Sequence, residues 1–144
     1  MDRIVVGVDG SAASVRATQW ASSEAQRSGA ALLLLCVIEN PATWAGVGAA
    51  MAPSAMESIS DDDLKASGAA IIAEAASQAN LSGEFTTETV IGFPGETLVN
   101  ASREASLLVL GAEGHRVRSA LLGSAAMHCV HHSACPVVIM PREA

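Results

Sequence analysis

The sequence predicts an α/β fold: a single domain over residues 1–144, built as a doubly wound five-stranded parallel sheet with helices on both faces. Three observations predict it. Short runs of Val, Leu and Ile with no polar face recur at residues 3–8, 31–38, 107–110 and 137–140, as expected of strands buried on both sides. Segments with helical spacing of apolar residues lie between them, and parallel strands need such crossovers. Half of the 144 residues are apolar, yet only two Trp and two Phe are present, so the core is built from Ala, Val, Leu and Ile. Side chains this small let helices lie close on a sheet.

Residues 3–8 form the first strand, which stops at Asp9-Gly10-Ser11. Ser11, with Ser14 three places on, caps a helix that runs to about residue 28 and is stopped by Gly29, because glycine best adopts the left-handed conformation that closes a helix. The second strand is 31–38. Residues 39–59 then carry two prolines, two glycines, Trp44, Met51 and Met56 without periodicity, and read as a long loop placed to act as a lid. Ser60 opens the next helix: Asp63 lies three places on as in a capping box, and three aspartates suit the positive end of the helix dipole. Leu64, Gly68, Ile71, Ile72, Ala75 and Ala79 share one face of it. A Thr-rich third strand over 85–91 is broken by Gly92-Phe93-Pro94-Gly95. A short helix over 96–105, the fourth strand at 107–110, a last helix from 124 to about 133 and the fifth strand at 137–140 complete the alternation.

Charge and cysteine usage narrow the function classes. The net charge is −7 and the basic residues are scattered, which argues against a nucleic-acid or membrane surface as partner. Three cysteines form no disulfide framework, and the start MDRIVVGVDG lacks the apolar region of a signal peptide. A cytoplasmic protein with reduced thiols is the expectation. The run LLLLCVI is far too short to span a bilayer.

In a doubly wound sheet, ligands bind beyond the carboxyl ends of the strands where the strand order reverses. Asp9, Val37 and Gly111 stand at such ends. After Gly111 comes a basic loop with a further glycine, and Gly123-Ser124 opens a helix. Glycines let backbone approach a ligand, while the unpaired amides at a helix start attract phosphate. Neither a Walker A pattern nor a G-x-G-x-x-G after the first strand occurs.

The segments IVVGVDGS, LLLLCVIE, VLGAEG and LLGSAAMHCVHHSACPVVIM together resemble the universal stress protein family, and nearly the whole chain can be laid along it. Its nucleotide-binding members carry a Gly, two residues, Gly, nine residues, Gly, then Ser or Thr. Gly111 and Gly114 match the first pair and Gly123-Ser124 the last, but only eight residues separate Gly114 from Gly123. The resemblance implies that Asp9 and the backbone of Gly7, Val8 and Val37 face adenine and ribose. Leu110 and Gly111 would line the adjacent floor, with Gly111, Gly114, Gly123, Ser124 and Ala125 at the phosphates. His115, Arg116 and Arg118 stand where they would add charge-assisted contacts. The family's usual acidic residue before the fourth strand is Ser106 here.

Competing readings attach to some of these residues. Asp9 equally suits a turn cap. His128, Cys129, His131, His132 and Cys135 include a pair four apart on a helix, a metal-ligand spacing, but buried Cys on a core helix is the commoner use. Asp61-Asp62-Asp63 suits a solvated helix start better than a cation site.

The resemblance implies an ATP-binding sensor or regulator of the stress response, with Mg²⁺ on the phosphates and two subunits paired through the last strand. No catalytic residue is expected, and any ATP hydrolysis would be slow. A dimeric interaction protein of the same fold that binds no nucleotide, and an ATP-hydrolysing enzyme on a related fold, are the alternatives.

Overall fold

The computed structural model describes residues 2–40, 60–113 and 122–142. Their elements run β1 (Arg3–Gly7), α1 (Ala12–Ser28), β2 (Ala31–Ile38), α2 (Asp61–Gln78), β3 (Thr86–Ile91), α3 (Pro94–Ser102), β4 (Leu107–Gly111), α4 (Ser124–His132) and β5 (Val137–Met140). The five strands make one parallel sheet in the order β3-β2-β1-β4-β5. Val5 of β1 stands opposite Leu33 on one side and Leu108 on the other.

Alternate residues of a strand point to opposite faces, and the two faces take different helices. Ile4, Val6, Leu32, Leu34 and Val109 pack with Ala17, Ala21 and Ala25 of α1 and Ile72 and Ala75 of α2. Val5, Leu33, Leu35, Leu108 and Leu110 pack with Leu98 of α3 and Ala126 and Cys129 of α4. This is the doubly wound arrangement that the apolar runs predict. The contact side of α1 is an alanine stripe at i, i+4 and i+8, which lets its backbone lie close on the sheet. α2 comes equally close to β3, since a Cβ on Gly68 would run into Thr89.

The caps follow the sequence reading. Ser11 Oγ accepts the Ser14 amide at 3.1 Å, and Gly29 closes α1 in the left-handed region (φ 77°) with its amide on Ala25 O at 2.8 Å. Ser60 Oγ accepts the Asp63 amide at 3.1 Å, ahead of three aspartates in the first turn of α2. Such a cap contributes about 1 kcal/mol.

Several boundaries need correction, among them β1, which ends at Gly7 and not Val8, and β3, which begins at Thr86 and not Phe85. Pro94 and Gly95 do not stand between β3 and a helix at 96; they begin α3, with Pro94 in the first turn. Proline's missing N–H is harmless there and its fixed φ is already helical, so one residue ends a strand and starts a helix. α3 also stops at Ser102 rather than 105, because Arg103, Glu104 and Ala105 donate to carbonyls three residues back, a tighter turn than the α-helix. Finally, β4 reaches Gly111, which pairs with Met140 of β5.

Residues 41–59, which the lid reading concerns, lie outside the described residues, as do Gly114, His115, Arg116 and Arg118. No helix among the described residues is long and apolar enough to cross a membrane.

Candidate functional site

The chain leaves β1 for β2 and β3 on one side, then returns to β4 on the other, so the strand order reverses between β1 and β4. The helices that follow β1 and β4 lie on opposite faces and diverge there. A cleft of about 410 Å³ opens at the carboxyl ends of these strands. This volume is in the range of small-molecule sites.

The cleft gathers Gly7, Val8 and Asp9 from the end of β1, Val37 from β2, Leu110 and Gly111 from β4, and Gly123, Ser124 and Ala125 from the start of α4. These are all the predicted site residues among the described ones. Gly114, His115 and Arg116 lie outside the description.

Asp9 is held in a local turn. Its Oδ1 accepts the Ser11 amide at 2.9 Å, while the Asp9 amide donates to Ser14 Oγ at 3.4 Å. Ser14 Oγ in turn donates to Ser11 O at 2.9 Å. Gly10 makes the bend with φ 86°, a conformation that side chains with a Cβ rarely adopt. The turn role weighed for Asp9 is therefore present, and the same carboxylate lines the cleft.

Gly111 is where backbone must come close: a Cβ there would stand 2.7 Å from Ala13 Cβ and 3.1 Å from the Ser14 amide nitrogen. The end of β4 thus lies directly on the first turn of α1. The Gly123 amide donates to Ala112 O at 2.9 Å, which ties the start of α4 to the same strand end. Gly123 provides no side-chain cap, and the first bond of the helix is from Met127 N to Gly123 O. The amides of Ser124, Ala125 and Ala126 accordingly have no helical acceptor, and all three residues line the cleft. Amides so placed, with the positive end of the helix dipole, favour an anion.

Several lining residues escape the sequence reading. Pro94, Ile71 and Cys36 face the cleft, as do Glu39 and Glu113. A parallel sheet turns every carboxyl strand end toward the same rim, so the turn that links β3 to α3 was a signal for Pro94. Ile71 sits beside the core position Ile72, and helical spacing alone does not tell the two directions apart. Burial, with a smaller contribution from the negative charge of Asp9, pushes the Cys36 thiol up to about 11. Cys36 is thus a neutral wall, not a nucleophile.

The histidine and cysteine cluster of α4 is divided. Cys129 is buried in the core, its thiol pushed up to about 11 by burial and, secondarily, by Cys135. His128 and His132 are exposed with ring centres 4.6 Å apart. Among the described residues, no group of three or more His, Cys, Asp or Glu is placed to hold a metal.

Comparison with known proteins agrees with this architecture. The family model described as "Universal stress protein family" matches residues 1–141. A universal stress protein of Mycobacterium tuberculosis strain H37Rv is 34% identical over 152 aligned positions, covering 97% of this chain and 48% of the relative. The chain therefore spans about half the length of the curated relatives it matches. Among solved structures, the universal stress protein UspA from Lactobacillus plantarum superposes with a TM-score of 0.69 at 26% identity, covering 96% of this chain and 97% of that one. A universal stress protein crystallised in complex with cAMP superposes with a TM-score of 0.66, also at 26% identity, over 96% and 95% of the two chains. By its sequence over nearly its whole length, and by the sheet and helices that carry the cleft, the chain belongs to the universal stress protein family.

Proposed function

We propose that this protein is an adenine-nucleotide-binding regulator that takes ATP in the cleft between β1 and β4, with Mg²⁺ carried on the phosphates. The observation that carries this reading is the opposition of two features across one cleft. The Asp9 carboxylate stands at the end of β1, and the uncapped start of α4 stands at the other wall. Asp9 accepts hydrogen bonds from a ribose hydroxyl or the adenine amine, with Gly7, Val8 and Val37 beside it. Leu110 and Gly111 form the floor. Gly114, Gly123, the Ser124 hydroxyl and amide, and the Ala125 amide hold phosphate, with His115 and Arg116 adding charge. The family member crystallised with cAMP supports an adenine ligand.

Regulation fits this cleft better than catalysis. The Cys36 thiol in the cleft wall is neutral at physiological pH, and Asp9 is given to the ligand and its own turn in this reading. ATP turnover is slow and incidental in this reading. The protein acts in the cytoplasm as a homodimer. β5 is an edge strand of half-buried Val137, Val138, Ile139 and Met140, which pairing with a second copy would cover.

One observation favours a second reading, that of an interaction protein without nucleotide: the eight-residue spacing between Gly114 and Gly123. Two measurements separate them. Denaturing the purified protein should release an adenine nucleotide, and calorimetry with millimolar ATP and Mg²⁺ should show binding that Gly123→Val abolishes. Silence in both experiments on the unmodified protein rejects the nucleotide reading.

A further inference from the structure

Among the described residues that line the cleft, three are carboxylates, Asp9, Glu39 and Glu113. A carboxylate held close to the phosphates opposes their binding even beside the charge that His115 and Arg116 add in the proposed site, because like charges at close range repel. Glu113 is the most awkwardly placed. It follows Ala112, whose carbonyl receives the Gly123 amide and whose own amide donates to Met140 O at 2.8 Å. The Ser11 hydroxyl donates to Glu113 O at 3.5 Å. Glu113 is thus fixed between the end of β5, the first turn of α1 and the α4 amides that suit phosphate.

Its carboxylate has a partner from the carboxyl end of the chain. Arg142 Nε lies 3.1 Å from Glu113 Oε2, with the glutamate side chain 21% and the arginine 39% exposed. The segment bearing Arg142 is itself held, since the Arg16 guanidinium donates to Pro141 O. A partly sheltered, anchored pair of this kind is screened less than a free surface contact.

We infer that Arg142 is a specificity-determining residue of the nucleotide site: by neutralising Glu113 it lets the cleft accept multiply charged phosphate chains. The inference rests on the nucleotide reading above. Arg142 acts through Glu113, so it is a positioning residue and not part of the chemistry. The consequence is graded with ligand charge. Without Arg142, adenosine loses little, AMP more, and ATP most.

Calorimetry tests this with adenosine, AMP and ATP, each with Mg²⁺, on wild type, Arg142→Gln, Arg142→Lys and the double variant Glu113→Gln/Arg142→Gln. Arg142→Gln should raise the Kd for ATP about tenfold and for AMP about threefold, leaving adenosine within about twofold, an effect that shrinks in high salt. Arg142→Lys should restore most of the loss, and the double variant should bind ATP at least as well as wild type. Equal loss for all three ligands would mark a merely structural contact and overturn the inference. So would an unchanged ATP affinity, or a double variant as weak as Arg142→Gln. Wild type that binds none of the three rejects the nucleotide reading and this inference with it, whereas wild type that binds all three while Arg142→Gln keeps their ratios rejects the inference alone.

Discussion

Gly111 lies against the backbone of Ala13: a Cβ added to this last residue of β4 would stand 2.7 Å from Ala13 Cβ and 3.0 Å from its carbonyl carbon. Neither atom is the end of a flexible side chain, so α1 itself must shift to admit a methyl group. Gly111→Ala should cost on the order of 1–3 kcal/mol, read as a lower urea midpoint with unchanged slope. Because the first turn of α1 also carries Ser11 and Ser14, which fix Asp9, nucleotide affinity should fall too. A variant with the wild-type midpoint would show that this contact is looser than the geometry implies.

Gly7 presents the opposite case. Its added Cβ would meet Leu110 Cδ2 at 2.7 Å and Leu98 Cδ2 at 3.3 Å, both ends of side chains that line the cleft and can rotate. Gly7→Ala should therefore change stability by no more than about 1 kcal/mol while pushing leucine methyls into the ligand's space. The expected pattern is a near-normal melt with adenosine affinity down several-fold. Reversal of the two glycine phenotypes would place the ligand elsewhere.

Asp9 serves both the turn and, in the proposed function, the ligand, and the two roles separate by substitution. Asp9→Asn keeps an oxygen to accept the Ser11 amide, whereas Asp9→Ala leaves that amide without it. The alanine variant should lose roughly 1 kcal/mol of stability and the asparagine variant less. Both should weaken nucleotide binding, since neither is a carboxylate. Full ATP affinity in Asp9→Asn would reduce Asp9 to a turn residue.

These residues also show where sequence reasoning reached and where it stopped. The strands were legible because a sheet buried on both faces leaves runs such as LLLLCVI without polar interruption. The ends of α1 were legible because Ser11 and Gly29 answer local backbone needs that any helix has. Pro94 misled because proline ends strands and begins helices equally well, and only the position of α3 decides between the two. Asp9, Val37 and Gly111 were reachable from strand ends and the rest of the floor from the family resemblance, but Glu113 and Arg142 were reachable from neither. Their pairing joins β4 to the chain end after β5, a contact between residues far apart in sequence with no periodic or capping signature.

The two buried thiols predict an alkaline limit to stability. Cys36 and Cys129 are raised from an ordinary value of 9.0 to about 11, both chiefly by burial. Between these values the unfolded chain has released protons that the folded chain still holds, so unfolding gains as pH rises. The stabilisation is complete below about 9 and is lost as pH climbs toward 11. Each thiol contributes a slope of up to about 1.4 kcal/mol per pH unit in that window. Urea unfolding at pH 8, 9 and 10 should therefore show a declining midpoint in wild type. Cys36→Ala/Cys129→Ala should be less stable at pH 8, for lost volume, but should decline less steeply. If the double variant falls as fast as wild type, other groups set the alkaline limit, and burial does not hold these thiols neutral.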